Sequence, residues 1–407
     1  MEFENLITSV FNGLGLIFPF FIAFVLGYIL FNSWVIYARK KFQASQEHSL
    51  LKIIPPRDII RTPAAMELFI NALHQTGGEA TPLDVYWYGK SRPTFSLEIV
   101  STGGEVSFYI WCRKALKSYI ENQIYAQYPG IEVVESDDYV EKVDYFSGNY
   151  TMFGLEYGLA QPDAIPFKTY VDSGLDKHNE EEEKVDPITS AIEFLGSMQP
   201  GENAWIQIII KAHKKEDKDK TKWFGKTDYW IDEAKAQIQK IKDDSVYRDP
   251  KNPDGPGMVT LTESAKQKIE AIERNISKIS FDVGIRGIYI AENEAFVGPN
   301  IPGLINAFKQ YGSPGLNSFK PAAVTSFDYP WQDPFGKRVE SLKQAIYLDY
   351  KNRVYFNTLF GIKYRQKFVL NAEELATIFH FPGSVASTPT LSRIQSRKSE
   401  PPSNLPI

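Results

Sequence analysis

The chain is poor in the side chains that bind metals or form disulfides. It has one cysteine among 407 residues, Cys112, and five histidines that stand apart from one another. A single cysteine excludes an internal disulfide and a cysteine-based metal site, and it suits a reducing compartment. No two histidines have the spacing of a zinc-binding His-x-x-x-His pair. We expect Cys112, at the end of an apolar run, to be a small buried side chain rather than a nucleophile.

Motifs of nucleotide-binding and hydrolytic enzymes are also missing. Gly-Lys-Ser/Thr triplets occur at 89–91 and 225–227, but a phosphate-binding loop needs another glycine five residues earlier. Asp84 and Lys220 stand at those two positions. There is no Gly-x-Ser-x-Gly elbow for a serine nucleophile. The sequence therefore predicts no catalytic residue, no metal and no cofactor, and we expect a protein that is not an enzyme.

An excess of basic charge is absent too. The net charge is −5, which argues against a general nucleic-acid-binding surface because such surfaces are normally basic. Hydrophobic residues make up 43% of the chain and aromatic residues 14%, enough to form a packed core. We therefore expect a folded protein that does not bind nucleic acid directly.

Charge is absent from residues 5–38 altogether, and this is the strongest physical signal in the chain. About 20 apolar residues in a helix cross the hydrocarbon core of a bilayer, so we predict a transmembrane helix over about 14–37. Its anchor and topology residues are Leu14, Phe20, Leu30, Trp34, Arg39, Lys40 and Lys41. A cleaved signal peptide and a buried core helix are the alternatives. The acidic N-terminus and the length of the apolar run favour a retained anchor.

The three basic residues at 39–41 predict the orientation of this anchor. Acidic residues precede the apolar run and basic ones follow it, so the positive-inside rule places the N-terminus outside. We expect a single-pass protein of the plasma membrane whose C-terminal domain is cytoplasmic.

Composition and periodicity divide the chain into seven parts. They are an N-terminal segment with the membrane helix (1–41), a juxtamembrane linker (42–64), a first α+β unit (65–212), a charged insertion (213–256), a second α+β unit (257–330), a C-terminal segment with a capped helix (331–383) and a Ser/Pro/Arg-rich extended tail (384–407).

The region after the linker has an α+β pattern. A Thr-Gly-Gly turn joins apolar runs at 94–101 and 106–112 and predicts a hairpin, and the apolar run 205–210 predicts a central strand. Similar strands, VSFYI at 106–110 and ISFDV at 279–283, precede helices that end in similar Gln-Tyr turns. Two diverged β-α-β units explain the similarity, although chance use of common turn residues is the alternative. The expected fold is α+β with two ferredoxin-like units.

A capped helix lies near the C-terminus, in the segment 368–383. Asn371 is the predicted N-cap and Glu374 can complete a capping box. Apolar side chains then recur at helical spacing until a proline ends the helix. This stripe is too small to stabilise an isolated helix, so the helix must dock on its own domain or on a partner. The candidate interface residues are Leu375, Ile378, Phe379, His380, Phe381, Pro382, Arg393, Pro401 and Pro402.

The motifs LNAEELATIFHFP (370–382) and PPSNLP (401–406) carry a resemblance. Together they resemble the junction before the motor domain in bacterial type IV secretion and conjugative DNA-transfer ATPases of the HerA-like superfamily. The region upstream resembles the membrane-anchored N-terminal portion of those proteins. The ATPase core of that family would begin where this sequence stops, so no catalytic residue carries over. The resemblance implies an ATPase partner on a separate polypeptide.

These observations predict a non-enzymatic, membrane-anchored scaffold or adaptor of a type IV secretion-like or DNA-transfer machine. Its expected partners are membrane lipid and a separate HerA-like ATPase, and a homo-oligomer is left open. Two alternatives remain: a membrane-anchored nucleic-acid-binding domain, and a membrane-anchored enzyme of an unrecognised class.

Overall fold

The chain divides into two compact units in a computed structural model. The structure describes residues 2–56, 61–176, 186–214, 216–217, 226–247, 258–259, 261–327, 329–356, 358–359, 362–363 and 367–383. The anchor unit comprises Met1–Glu47, Gly77–Arg92 and Phe356–Arg365. The sheet unit comprises His48–Thr76, Pro93–Tyr355 and Gln366–Ile407.

The anchor unit is built around one long helix. Helix α1 spans Glu2–Ala44 and contains Pro19 without interruption. Its part Phe18–Ala44 has a window of mean hydropathy 1.9 that is not buried at all, so the helix is long and apolar enough to cross a membrane. The short helix α3, Pro82–Tyr86, packs against α1. A pair of two-residue strands, Thr358–Leu359 and Ile362–Lys363, also belongs to this unit.

The sheet unit contains nine strands in one sheet. They are β1 (His48–Ile54), β2 (Thr94–Thr102), β3 (Glu105–Arg113), β4 (Glu132–Ser136), β5 (Tyr150–Leu159), β6 (Glu202–Ala212), β7 (Ser280–Glu292), β8 (Phe319–Val324) and β9 (Phe368–Asn371). Its helices are α2 (Pro63–Ala72), α4 (Lys117–Gln127), α5 (Ile188–Gly196), α6 (Tyr229–Asp244), α7 (Glu263–Ile276), α8 (Asn300–Ile305), α9 (Lys337–Lys351) and α10 (Ala372–Ile378).

The strand order reads the same from both edges. It is β8-β5-β7-β6-β2-β3-β1-β4, and every neighbouring pair is antiparallel. When the four strands of each half are numbered 1 to 4 in chain order, their order in the sheet, from the outer edge to the centre, is 4-1-3-2. The halves meet where β2 pairs with β6 over nine residues. β9 pairs with the first four residues of β7, next to the stretch that pairs with β5.

Alternation along the strands gives the sheet two different faces. In β2, Phe95, Leu97 and Ile99 enter the core beneath the helices, while Val100 lies in the core of the other face. Helices α2, α4, α5, α8 and α10 cover the first face, which we call the helical face. Because side chains of a strand point alternately to opposite sides, both sets are buried only if both faces are covered.

The second face is covered by α9 and by the segment 139–147. Ile346, Tyr347 and Tyr350 of α9 pack over the sheet there. Trp205 of β6 is fully buried between Tyr139 and Tyr350, with ring centroids 5.3 and 5.5 Å away. Little of the central strands therefore reaches solvent on either side.

Several predicted elements are confirmed. Strands β2 and β3 form the hairpin, with Gly103 and Gly104 both at positive φ in the turn. β6 is a central strand buried on both faces. Cys112 is fully buried, as a small apolar side chain would be.

Other predicted boundaries need correction. The segment 42–64 is not a linker throughout, because His48–Ile54 is an inner strand with Leu51 and Ile53 in the core. The unit 65–212 lacks this strand and includes β5 and β6, which lie in the other half of the sheet. The insertion 213–256 contains the 16-residue helix α6, which packs on α7. Trp230 of α6 is buried. The helix therefore has one side that packs in the core, although the sequence around it is rich in charge.

Candidate functional site

The C-terminal motif begins with a cap that forms as predicted. Asn371 Oδ1 accepts a hydrogen bond from Glu374 N at 2.7 Å, and Glu374 Oε2 accepts one from Asn371 N at 3.0 Å. The amide of Asn371 also donates to Asn275 Oδ1 at 2.8 Å. Asn275, at the end of α7, in turn donates to the carbonyl of Ala164 at 3.0 Å. The cap thus starts α10 and ties it to two other segments.

Glu373 is buried within a network of charged and polar groups. Its side chain is 1% exposed, and Lys278 Nζ lies 2.7 Å from its Oε2. Lys278 also reaches Glu67 of α2 at 2.7 Å, and Thr169 donates to Glu373. Lys278 and Arg274, the latter 3.5 Å from Glu373 Oε1, supply positive charge that helps to offset the cost of burying this carboxylate. The network joins α10 to α2 and α7.

His380 forms a buried pair with Asp186 at the end of the motif. Its Nδ1 lies 2.8 Å from the carbonyl of Ala376, and its Nε2 lies 2.9 Å from Asp186 Oδ2. Burial lowers the pKa of His380, but Asp186 and the carbonyl outweigh it and raise the pKa above its ordinary value. Burial likewise raises the pKa of Asp186, but His380 outweighs it and lowers that pKa. Both ring nitrogens of His380 face oxygen acceptors, so this geometry favours an imidazolium opposite a carboxylate.

The apolar side of the motif packs into the core beneath the helical face. Phe379 and Phe381 meet Phe108 edge to face, with ring centroids 5.7 and 5.2 Å away, and Phe381 also contacts Tyr128. All six candidate interface residues of the motif are buried: Leu375, Ile378, Phe379, His380, Phe381 and Pro382.

This burial corrects their predicted role. The helix docks on its own domain, which was one of the two alternatives, and not on a partner. Its apolar side chains are buried in the core of the sheet unit, so they are not exposed for contact with another protein. Arg393, Pro401 and Pro402 lie outside the described residues and stay candidates by sequence alone.

An open cavity of about 760 Å³ lies beside the Glu373 network. Its lining includes Arg274 and Asp172, which form an ion pair at 2.6 Å, together with Lys168, Lys268 and Glu270. Charges of both signs line it, so the lining identifies neither an anion nor a cation as a ligand. Among the residues that the structure describes, no group of three or more histidine, cysteine or acidic side chains could hold a metal ion.

The predicted anchor residues lie along α1, as expected. Phe20 and Leu30 are 74% and 72% exposed, and Trp34 is 38% exposed. Lys41 lies in the last turn of the helix, after Arg39 and Lys40. Leu14 falls in a turn whose side chains lie outside the described set.

Sequence reasoning missed the partners of the motif. Asn275, Lys278 and Asp186 precede it by about 90 to 200 residues along the chain. None belongs to a local motif of its own, so only the fold reveals the pairing.

Comparison with known proteins places the chain in a family. No curated protein matches it. A family model described as Domain of unknown function (DUF8128) matches residues 38–393, which is most of the chain and includes all nine strands of the sheet and the motif helix. The protein therefore belongs to the DUF8128 family.

Proposed function

We propose that this protein is a non-enzymatic, membrane-anchored scaffold of a type IV secretion-like or DNA-transfer machine that holds a separate HerA-like ATPase at the cytoplasmic face. The observation that carries the proposal is the complete burial of the motif 370–382 in its own sheet unit. This motif, which resembles the junction before a motor domain, is here a fixed part of the fold. The chain that follows Gly383 therefore starts from a rigid point, which suits a docking strap.

The strand order supports two ferredoxin-like units within the scaffold. In each half, the strands and the helices that cover the helical face follow the order β-α-β-β-α-β, with α6 and α7 inserted between β6 and β7 of the second half. The strand ranks 4-1-3-2 in both halves support a ferredoxin-like unit in each. The similar sequence 106–110 lies in the third strand of the first half, and 279–283 begins one residue before the third strand of the second half. Phe108 and Phe281 both enter the helical-face core. We propose an internal duplication as the origin of the sheet.

The covered second face argues against the nucleic-acid alternative. Ferredoxin-like domains that bind single strands stack bases on exposed aromatic side chains of the sheet. Here Trp205 and Tyr109 are 0% and 7% exposed beneath α9 and the segment 139–147. Tight, salt-sensitive binding of single-stranded DNA by the full chain would revive that alternative.

The test of the scaffold is co-purification from native membranes followed by mass spectrometry. We expect the full chain to retain a HerA-like ATPase, and the variant Arg393→Ala/Pro401→Ala/Pro402→Ala to lose it. A matched control in the same tail, Ser384→Ala/Ser387→Ala/Ser396→Ala, should retain it. If all three proteins retain the same ATPase, the tail is not the docking site. If none does, the adaptor role fails.

Two further measurements test the remaining parts of the proposal. A reporter fused after Ile407 should be active only if it functions in the cytoplasm. The purified full chain should hydrolyse no nucleotide. Export of the reporter would reverse the orientation, and turnover abolished by a single point substitution would make the protein an enzyme.

A further inference from the structure

A short aromatic segment packs beside the membrane helix within the anchor unit. We call residues 83–88 (Leu-Asp-Val-Tyr-Trp-Tyr) the aromatic shelf. Trp34 Nε1 donates to the carbonyl of Tyr86 at 3.1 Å, and the rings of Trp34 and Trp87 lie 4.9 Å apart. Phe31 meets Tyr86 at 5.6 Å. The shelf is therefore fixed on α1 by its backbone and by two ring contacts.

Gly89 permits this close approach. It has φ +65°, and a Cβ there would lie 2.2 Å from the backbone carbon of Ala38. Any other residue would force the shelf away from the helix. From Tyr86 to Gly89, the segment thus follows α1 along Phe31, Trp34 and Ala38.

The shelf nevertheless leaves its large side chains uncovered. Leu83 is 63% exposed, and Tyr86, Trp87 and Tyr88 are 47%, 59% and 57% exposed. Exposed apolar side chains that stand together, unlike scattered ones, indicate a binding surface. Tryptophan and tyrosine are the residues enriched where a bilayer meets water.

The charges around the shelf are paired. Asp84 lies 2.9 Å from Lys90 Nζ, and its carboxylate also closes the capping box of α3 with Thr81. Glu79 lies 2.9 Å from Arg92 Nε. Both carboxylates of the segment 77–92 therefore have a cation beside them, which lowers the cost of bringing the segment to an apolar surface.

The position of the shelf along the helix indicates its depth. A helix rises about 1.5 Å per residue, so with Leu26 at the bilayer centre, Phe31 and Trp34 lie about 7 and 12 Å from it. The hydrocarbon core ends about 15 Å from the centre. Ala38 and the basic cluster 39–41 follow at the level of the lipid headgroups. The shelf contacts α1 just inside the boundary between acyl chains and headgroups.

We propose that the aromatic shelf inserts into the lipid bilayer at this boundary and is a second membrane contact beside the spanning helix. The inference rests on the proposed membrane anchoring. Its partner is lipid, because the shelf is continuous with an apolar helix, carries interfacial residue types and has its charges paired. A single helix can rotate about its axis, whereas a helix with a lateral shelf presents one defined side to the membrane.

Nitroxide accessibility in the full chain tests the proposal. On a Cys112→Ala background, a label at Leu83→Cys is measured in vesicles of phosphatidylcholine and phosphatidylglycerol. Oxygen partitions into lipid and a nickel chelate into water, so the ratio of their collision rates reports depth. Leu26→Cys, in the apolar run, is the lipid reference. Leu68→Cys on α2 is the matched aqueous reference, since Leu68 is 57% exposed.

We expect the ratio at Leu83 to be several-fold above that at Leu68 and below that at Leu26. The added substitution Gly89→Leu should lower the Leu83 ratio towards that of Leu68. A Leu83 ratio equal to that of Leu68, with Leu26 in lipid, overturns the shelf and leaves the anchor intact. Low collision rates with both reagents at Leu83 would identify a protein partner instead and also overturn it. An aqueous Leu26 would refute the anchor and the shelf together.

Discussion

Arg353 and Glu98 form a two-pronged ion pair under the second face of the sheet. Arg353 Nε lies 3.0 Å from Glu98 Oε1, and its Nη2 lies 3.2 Å from Oε2. Both side chains are buried, and Asp138 adds a second carboxylate to the guanidinium. Burial alone would lower the pKa of Arg353, but the two acids raise it well above its ordinary value. The pair fixes the end of α9 to the middle of β2.

Breaking this pair should be costly. Arg353→Met leaves the carboxylate of Glu98 buried without its main cation, and we expect the free energy of unfolding to fall by about 3–5 kcal/mol. Lys351→Met, two residues away, is the matched control. Its ion pair with Glu141 is long, at 4.0 Å, and exposed, so its loss should cost less than about 1 kcal/mol. Urea unfolding of the full chain in detergent measures both. Equal losses would mean that the buried pair contributes no more than a surface one.

The His380–Asp186 pair should make stability depend on pH. The raised pKa of His380 gives a contribution that is complete below the unfolded value near 6.5 and is lost as pH rises through the folded value. The lowered pKa of Asp186 gives a contribution that is lost only as pH falls below its unfolded value. His380→Gln should therefore destabilise the protein more at pH 6 than at pH 9.

Thermal unfolding of both proteins across this range measures the difference. The control is His48→Gln, because His48 is exposed at the start of β1, where its ring stacks on Trp111 at 4.2 Å. Its pH profile should follow that of the parent. A His380→Gln curve parallel to the parent at every pH would contradict an ionised pair.

Cys112 should be unreactive in the folded protein. It is fully buried, and burial raises the pKa of its thiol to about 12, so almost no thiolate exists at pH 8. Ellman's reagent should release no colour until the chain is unfolded. Leu342→Cys, on the exposed side of α9 and 42% exposed, should react at once. Rapid modification of the parent would mean that this part of the sheet opens readily.

Truncation should separate the motif from the tail. A chain that ends at Gly383 keeps β9 and α10, and we expect its melting temperature to stay within a few degrees of that of the full chain. A chain that ends at Lys367 loses both elements and the buried side chains of the motif, so it should unfold or aggregate. Circular dichroism with heating distinguishes them. A large loss for the Gly383 chain would place the tail within this protein's own fold and refute the strap.

The elements that the sequence predicted are those with strong local patterns. The apolar run of α1, the Thr-Gly-Gly hairpin and the capping box at Asn371 each depend on neighbouring residues. β1 was not predicted, because the prolines after it indicate a break in regular structure. Leu51 and Ile53 nevertheless alternate as a strand requires. α6 was missed because its apolar side chains are sparse among charges. In both elements, packing against distant segments decided the structure.

The motif shows the same limit at a site. Its cap was readable, since Asn371 and Glu374 are three residues apart. The sequence did not show whether the apolar stripe packs on its own domain or on a partner. The answer depends on contacts with Phe108 and Tyr128, which lie more than 200 residues earlier in the chain. The sequence predicted docking but could not identify the surface.

The strand order also determines how the sheet would respond to a pulling force. In a protein tethered at one end and pulled at the other, tension that enters at β1 must cross β3, β2, β6 and β7 before it reaches β9. The pairings along that route have six, seven, nine, eleven and four residue pairs in turn. The shortest lies next to the exit of the chain, where the buried α10 reinforces it. Under load, β9 would therefore separate from β7 first. The other eight strands would stay paired while the motif detaches from the sheet.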